Sequence, residues 1–116
     1  MNSITASSEW TSVCRIGEIV PDTGVCALVQ GEQVAVFRLA GDALYAIDNI
    51  DPDNGAAVLS RGLTGSLGER VVVASPIHKH HFDLRTGECL EAPQHGVRVW
   101  KVRVDGDLVQ VGRGDR

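Results

Sequence analysis

Two short segments concentrate the side chains able to do chemistry: Asp48-Asn49-Ile50-Asp51-Pro52-Asp53 and Ser75-Pro76-Ile77-His78-Lys79-His80-His81-Phe82. Carboxylate and imidazole are hard or borderline donors that can hold a divalent ion when brought together. Imidazole also titrates near neutral pH. Softer chemistry has little to work with. The three cysteines, Cys14, Cys26 and Cys89, lie outside both segments, and no two stand at metal-ligand spacing. They read as buried, inert thiols. A Cys14–Cys26 disulfide is geometrically conceivable but disfavoured in a reducing compartment. Ser60 and Ser75 sit in no G-x-S-x-G elbow, and no G-x-G-x-x-G opens a helix, so neither acyl transfer nor independent dinucleotide binding is indicated. Trp10 and Trp100 read as packing residues.

The elements that must position these segments belong to one domain, since 116 residues support a single core. Eleven basic against fifteen acidic residues give a net charge of −4. Nucleic acid and anionic membranes need a basic patch, so neither is expected as a partner. No apolar stretch approaches the roughly 20 residues of a membrane helix. Met1 to Glu9 is polar and Ser-rich, with no apolar signal-peptide core, and reads as a frayed tail. The expected location is cytoplasmic.

Short strands dominate the rest. Val25–Val29 and Gln33–Leu39 flank a turn at Gln30-Gly31-Glu32, and a second turn at Gly41-Asp42 precedes Ala43–Asp48. Arg70–Ala74 is a Val-rich strand running into Ser75-Pro76. Val97–Val104 and Leu108–Val111 are joined by Asp105-Gly106, a strong hairpin signal. Val97 and Val99 share one face of their strand while Trp100, Val102 and Val104 take the other. Such a change of phase marks a bulge or a passage between packing layers. Ala56–Ser60 has room for one helical turn, and Arg61–Arg70, with Gly62, Gly65 and Gly68, reads as a flexible loop. If 78–81 is extended, His78 and His80 point one way and His81 the other. The pattern is all-β, a sandwich or small barrel.

Several segments carry a resemblance. Trp10-Thr11-Ser12-Val13-Cys14, Gly24–Val29, Gln33–Arg38, Leu44–Asn49, Val58-Leu59-Ser60-Arg61-Gly62, Ala74-Ser75-Pro76 and Phe82–Leu90 together resemble the small subunit of assimilatory NAD(P)H-dependent nitrite reductase, a Rieske-like domain. Phe82–Gly87 is shared with true Rieske ferredoxins and speaks only for the fold. Leu59–Gly62 and Ser75-Pro76, in a chain without cluster cysteines, select the nitrite reductase subunit. In the Rieske register Asp51 and Asp53 stand at the first Cys and His positions, Ser75 at the second Cys, and only His78 survives. A Rieske cluster needs two thiolates on one iron and two imidazoles on the other.

The resemblance implies a Rieske-like multi-sheet β-sandwich or small barrel, with two opposed loops at one tip. The domain would span 10–113, between the tail 1–9 and a short tail 114–116. No catalytic residue and no metal or cofactor site of its own follows. Siroheme, FAD and an iron–sulfur cluster are implied in a large catalytic subunit, the expected partner. Asp51, Asp53, His78, His80 and His81 are candidate contacts with it, on loop ends expected to be exposed and solvated. The competing readings are a Rieske-type ferredoxin carrying electrons and a stand-alone interaction module on the same fold.

Overall fold

The computed structural model describes residues 9–77 and 79–114, so the expected tails fall largely outside the described residues, as does His78. The described residues form nine antiparallel strands in two sheets. They are β1 (Thr11–Arg15), β2 (Thr23–Val29), β3 (Glu32–Arg38), β4 (Leu44–Asp48), β5 (Leu63–Leu67), β6 (Arg70–Ala74), β7 (His81–Asp83), β8 (Val99–Asp105) and β9 (Leu108–Gly112). The six-stranded sheet runs β1-β9-β8-β4-β3-β2, and its two end strands return beside each other, so it nearly closes into a barrel. The second sheet is β5-β6-β7. The all-β, barrel-like architecture expected from the sequence is the one observed.

Local chemistry explains the strand borders. Gln30 and Gly31 both have positive φ, the two-residue geometry whose twist matches a hairpin, and Val29 pairs with Glu32 across it. The Arg61–Arg70 loop is corrected: Leu63–Leu67 is a strand, laddered from Leu63↔Ala74 to Leu67↔Arg70. Glycine spacing suggested flexibility, but Gly62 is a packing glycine. A Cβ there would lie 2.3 Å from the Ala74 carbonyl oxygen, so a bare α-carbon lets the strand start against β6.

Two apolar clusters form the core. Val29, Val34, Val36, Ala46, Trp100, Val109 and Val111 lie inside the nearly closed sheet. Ala35, Phe37, Ile47, Leu59, Val73, Phe82, Leu84 and Cys89 fill the space between the sheets. The phase change before β8 is a passage between them, since Val97 and Val99 pack on the second cluster whereas Trp100 and Val102 belong to the first. The cysteines divide likewise. Cys89 is buried as expected, Cys14 is half-buried, and Cys26 is exposed. Cys14 packs beside the first cluster, while Cys26 shares its face of β2 with its cross-strand partner Ala35, in the second. The two thiols therefore do not face each other.

Candidate functional site

The first loop leaves β4 through Asn49, a buried side chain that organises its surroundings. Its Oδ1 accepts the backbone N–H of Ser60 at 2.7 Å, its Nδ2 donates to Gln33 Oε1 at 3.1 Å, and its carbonyl accepts Leu59 N–H. This fastens the 3₁₀ turn Leu59–Arg61 beneath the loop and explains why a serine lies buried there. Asp51 then turns inward. Asp53 N–H donates to Asp51 Oδ1 at 2.9 Å, the local bond by which aspartate shapes a turn.

The second loop leaves β6 at Ser75, whose hydroxyl donates to Asp51 Oδ2 at 2.6 Å. This hydrogen bond joins the loops, between residues 0% and 1% accessible. The expectation of solvated loop ends is corrected for these two residues. Buried polar groups must find partners, and Asp51 and Ser75 find each other. With no exposed surface, Asp51 in this chain presents nothing for a partner to touch. Asp53 differs: it lies at the surface, with the ring nitrogen Nδ1 of His95 at 3.7 Å from its Oδ1.

Residues 79 and 80 do not follow strand alternation. Lys79 has φ +60°, its N–H donates to the Ser75 carbonyl at 2.9 Å, and Ser75 N–H donates to the His80 carbonyl at 2.8 Å. These bonds close a turn, and the strand begins only at His81. The backbone N–H and the Nδ1 of His81 meet the two carboxylate oxygens of Glu91 at 2.7 and 2.6 Å. Burial raises the Glu91 pKa, and the His81 contacts outweigh it, leaving the carboxyl below its ordinary value. The structure thus brings Asp51, Asp53 and Ser75 together at one tip. Sequence reasoning missed two contributors, Glu91 and His95. No spacing rule pointed to them, because they arrive from a later segment.

The tip also presents apolar surface, Ile50 at 38% and Ile77 at 47% accessible, one from each loop. Among the described residues no group of three or more His, Cys, Asp or Glu is placed to hold a metal ion. No described helix is long and apolar enough to cross a membrane.

Residues 9–112 match the model of the Rieske-like [2Fe-2S] domain family. The chain is 47% identical over 105 residues to the nitrite reductase (NADH) small subunit of Salmonella typhimurium, covering 90% of this chain and 97% of that protein. The NMR structure of the Escherichia coli protein NirD superposes with a TM-score of 0.83 at 44% identity, over 92% of this chain and 97% of that one. A protein of Klebsiella oxytoca named nitrite reductase [NAD(P)H] large subunit is 39% identical over 106 residues, which is 91% of this chain and 11% of that protein. The donor set of this chain does not fit the cluster in the family's name. A cluster needs two thiolates, whereas the two loops bring together Asp51 and Ser75, which are bonded to each other. Cys89 is locked in the inter-sheet core, and Cys14 and Cys26 lie on β1 and β2.

Proposed function

This chain belongs to the family of NADH nitrite reductase small subunits on the Rieske-like fold, and on that premise we propose that it is an accessory subunit. It binds the large catalytic subunit in the cytoplasm, holds no [2Fe–2S] cluster of its own, and takes no catalytic step. The siroheme, FAD and iron–sulfur centre that the resemblance implies reside in the large chain, where electrons pass from the nicotinamide to nitrite.

The observation that carries this reading is the Ser75–Asp51 hydrogen bond. It ties the two loops where a cluster would tie them, with a carboxyl and a hydroxyl that do not replace the two thiolates a cluster needs. The tip keeps its shape without redox chemistry, and a shaped tip with exposed isoleucines suits contact between proteins. Asp53, His80 and His81 remain candidate contacts, joined by Ile50 and Ile77. Support for a role beside the large chain comes from Klebsiella oxytoca, where a matching domain occurs within a protein named the large subunit.

The test is NAD(P)H-dependent nitrite reduction by the large subunit, expressed with and without this chain and passed over a sizing column. A co-eluting complex whose activity depends on this chain supports the reading. Iron and acid-labile sulfide, assayed on anaerobically purified chain, are expected to be absent. Stoichiometric amounts of both would instead make it an electron carrier of the ferredoxin kind. Unchanged activity with no complex would leave an interaction module for another partner.

A further inference from the structure

We propose that the groove over β8 docks an acidic, extended segment of the large subunit, giving the complex a second contact besides the loop tip. The proposal rests on the accessory-subunit reading. The groove has a volume of about 700 Å³ and runs along Gly96–Lys101, facing Arg85 and Thr86. It starts beside His95, which faces Asp53 at the tip, so one partner chain can follow from tip to groove.

Its shape comes from a turn that the sequence marked for the fold alone. Asp83 Oδ1 accepts the N–H groups of Arg85 and Thr86 at 2.7 and 3.1 Å, curling the chain after β7. Gly87, at φ +79°, meets the chain before β8. A Cβ there would stand 2.0 Å from the Val97 carbonyl oxygen, and Val97 N–H donates to the Gly87 carbonyl at 2.8 Å. That close approach sets Arg85 on the groove wall opposite β8.

The charges are of two kinds. Arg98 is already engaged by Glu32 and by Asp48, and its guanidinium lies 5.4 Å from the Trp100 ring centre. Arg85 and Lys101 are exposed, and among the described residues neither has a carboxylate partner. Lys101 Nζ lies 5.6 Å from the centre of the Trp10 ring. Asp48 also lines the groove but is held by Arg98 and by Trp100 Nε1, so two cations without a carboxylate partner among the described residues stand beside apolar Val97 and Val99, on a chain of net charge −4. An acidic segment with apolar side chains complements both the cations and the valines, and the charge match fixes its register.

The experiment compares the unaltered chain with the double variant Arg85→Glu/Lys101→Glu for binding to the large subunit, by calorimetric titration at low and high salt. Melting temperatures check that both fold, and Arg85→Gln/Lys101→Gln serves if the reversal does not. The expected result is at least about ten-fold weaker binding and a flatter salt dependence. Equal affinity of the two chains would overturn the groove and leave the accessory reading standing. Failure of the unaltered chain to bind would remove that reading, and the groove proposal with it. Two controls on the chain alone also decide. Saturable binding of NADH, or a dimer on the sizing column, overturns the proposal if the double variant abolishes it, because the groove then serves a small anion or a second copy.

Discussion

Asp51 at the loop tip and Glu32 on the flank are carboxylates held in opposite ways. Asp51 has no solvent contact and is satisfied by one hydroxyl and one backbone N–H. Glu32 has a side chain 32% accessible and sits between the guanidinium groups of Arg98 and Arg113. Water cannot replace a lost partner at the first site and readily does so at the second. The difference teaches that formal charge is a poor guide to what holds this molecule together. The tip is joined through a buried bond between Ser75 and Asp51 that solvent does not reach. The flank, with more charges, is the adjustable one.

The comparison breaks most visibly at Ser75. Ser75→Ala strands one oxygen of a buried carboxyl group, and the expected loss is about 2 kcal/mol in urea unfolding. A loss below about 0.5 kcal/mol would mean that water enters the tip and that the two sites do not differ. Arg98→Ala removes contacts to both Glu32 and Asp48. Because Arg98 is nearly half exposed, solvent screening limits the expected loss to about 1 kcal/mol, shrinking as salt is added. A loss indifferent to salt would point to packing on Trp100 instead. Asp53→Asn sharpens the contrast within the tip. Two residues from Asp51 but at the surface, it is expected to change stability by less than about 0.5 kcal/mol while weakening co-elution with the large subunit.

These contrasts also measure what the residues disclosed before the fold was known. Strand order in the hairpins was legible because alternation and turn residues are local: β6 matches its expected bounds, Arg70–Ala74. β5 was not legible, since Gly62 and Gly65 look like loop residues until β6 lies against them. At the tip, residue types located the site and misjudged its burial. Nothing in Asp51-Pro52-Asp53 tells which aspartate turns inward, because the deciding partner, Ser75, lies in the other loop. The pairing of His95 with Asp53, like that of Glu91 with His81, depends on where the chain goes after β7, which no local pattern encodes.

Acid separates the two carboxylate environments most finely. Hydrogen bonds from Arg98, and then from Arg113, lower the Glu32 pKa from its ordinary 4.5 to about 2. A carboxylate whose folded pKa lies below its unfolded value stabilises the fold above the unfolded pKa and loses that contribution as the pH falls through the folded one. Glu32→Gln is therefore expected to melt slightly lower than the unaltered chain at neutral pH, by a margin kept small because the site is solvent-screened. The margin should narrow between pH 4.5 and 2. Added salt should shrink it at neutral pH, as the exposed pairs are screened. A gap that stays constant through this range would show that Glu32 acts through shape rather than charge, and that the flank resembles the tip more than its exposure suggests.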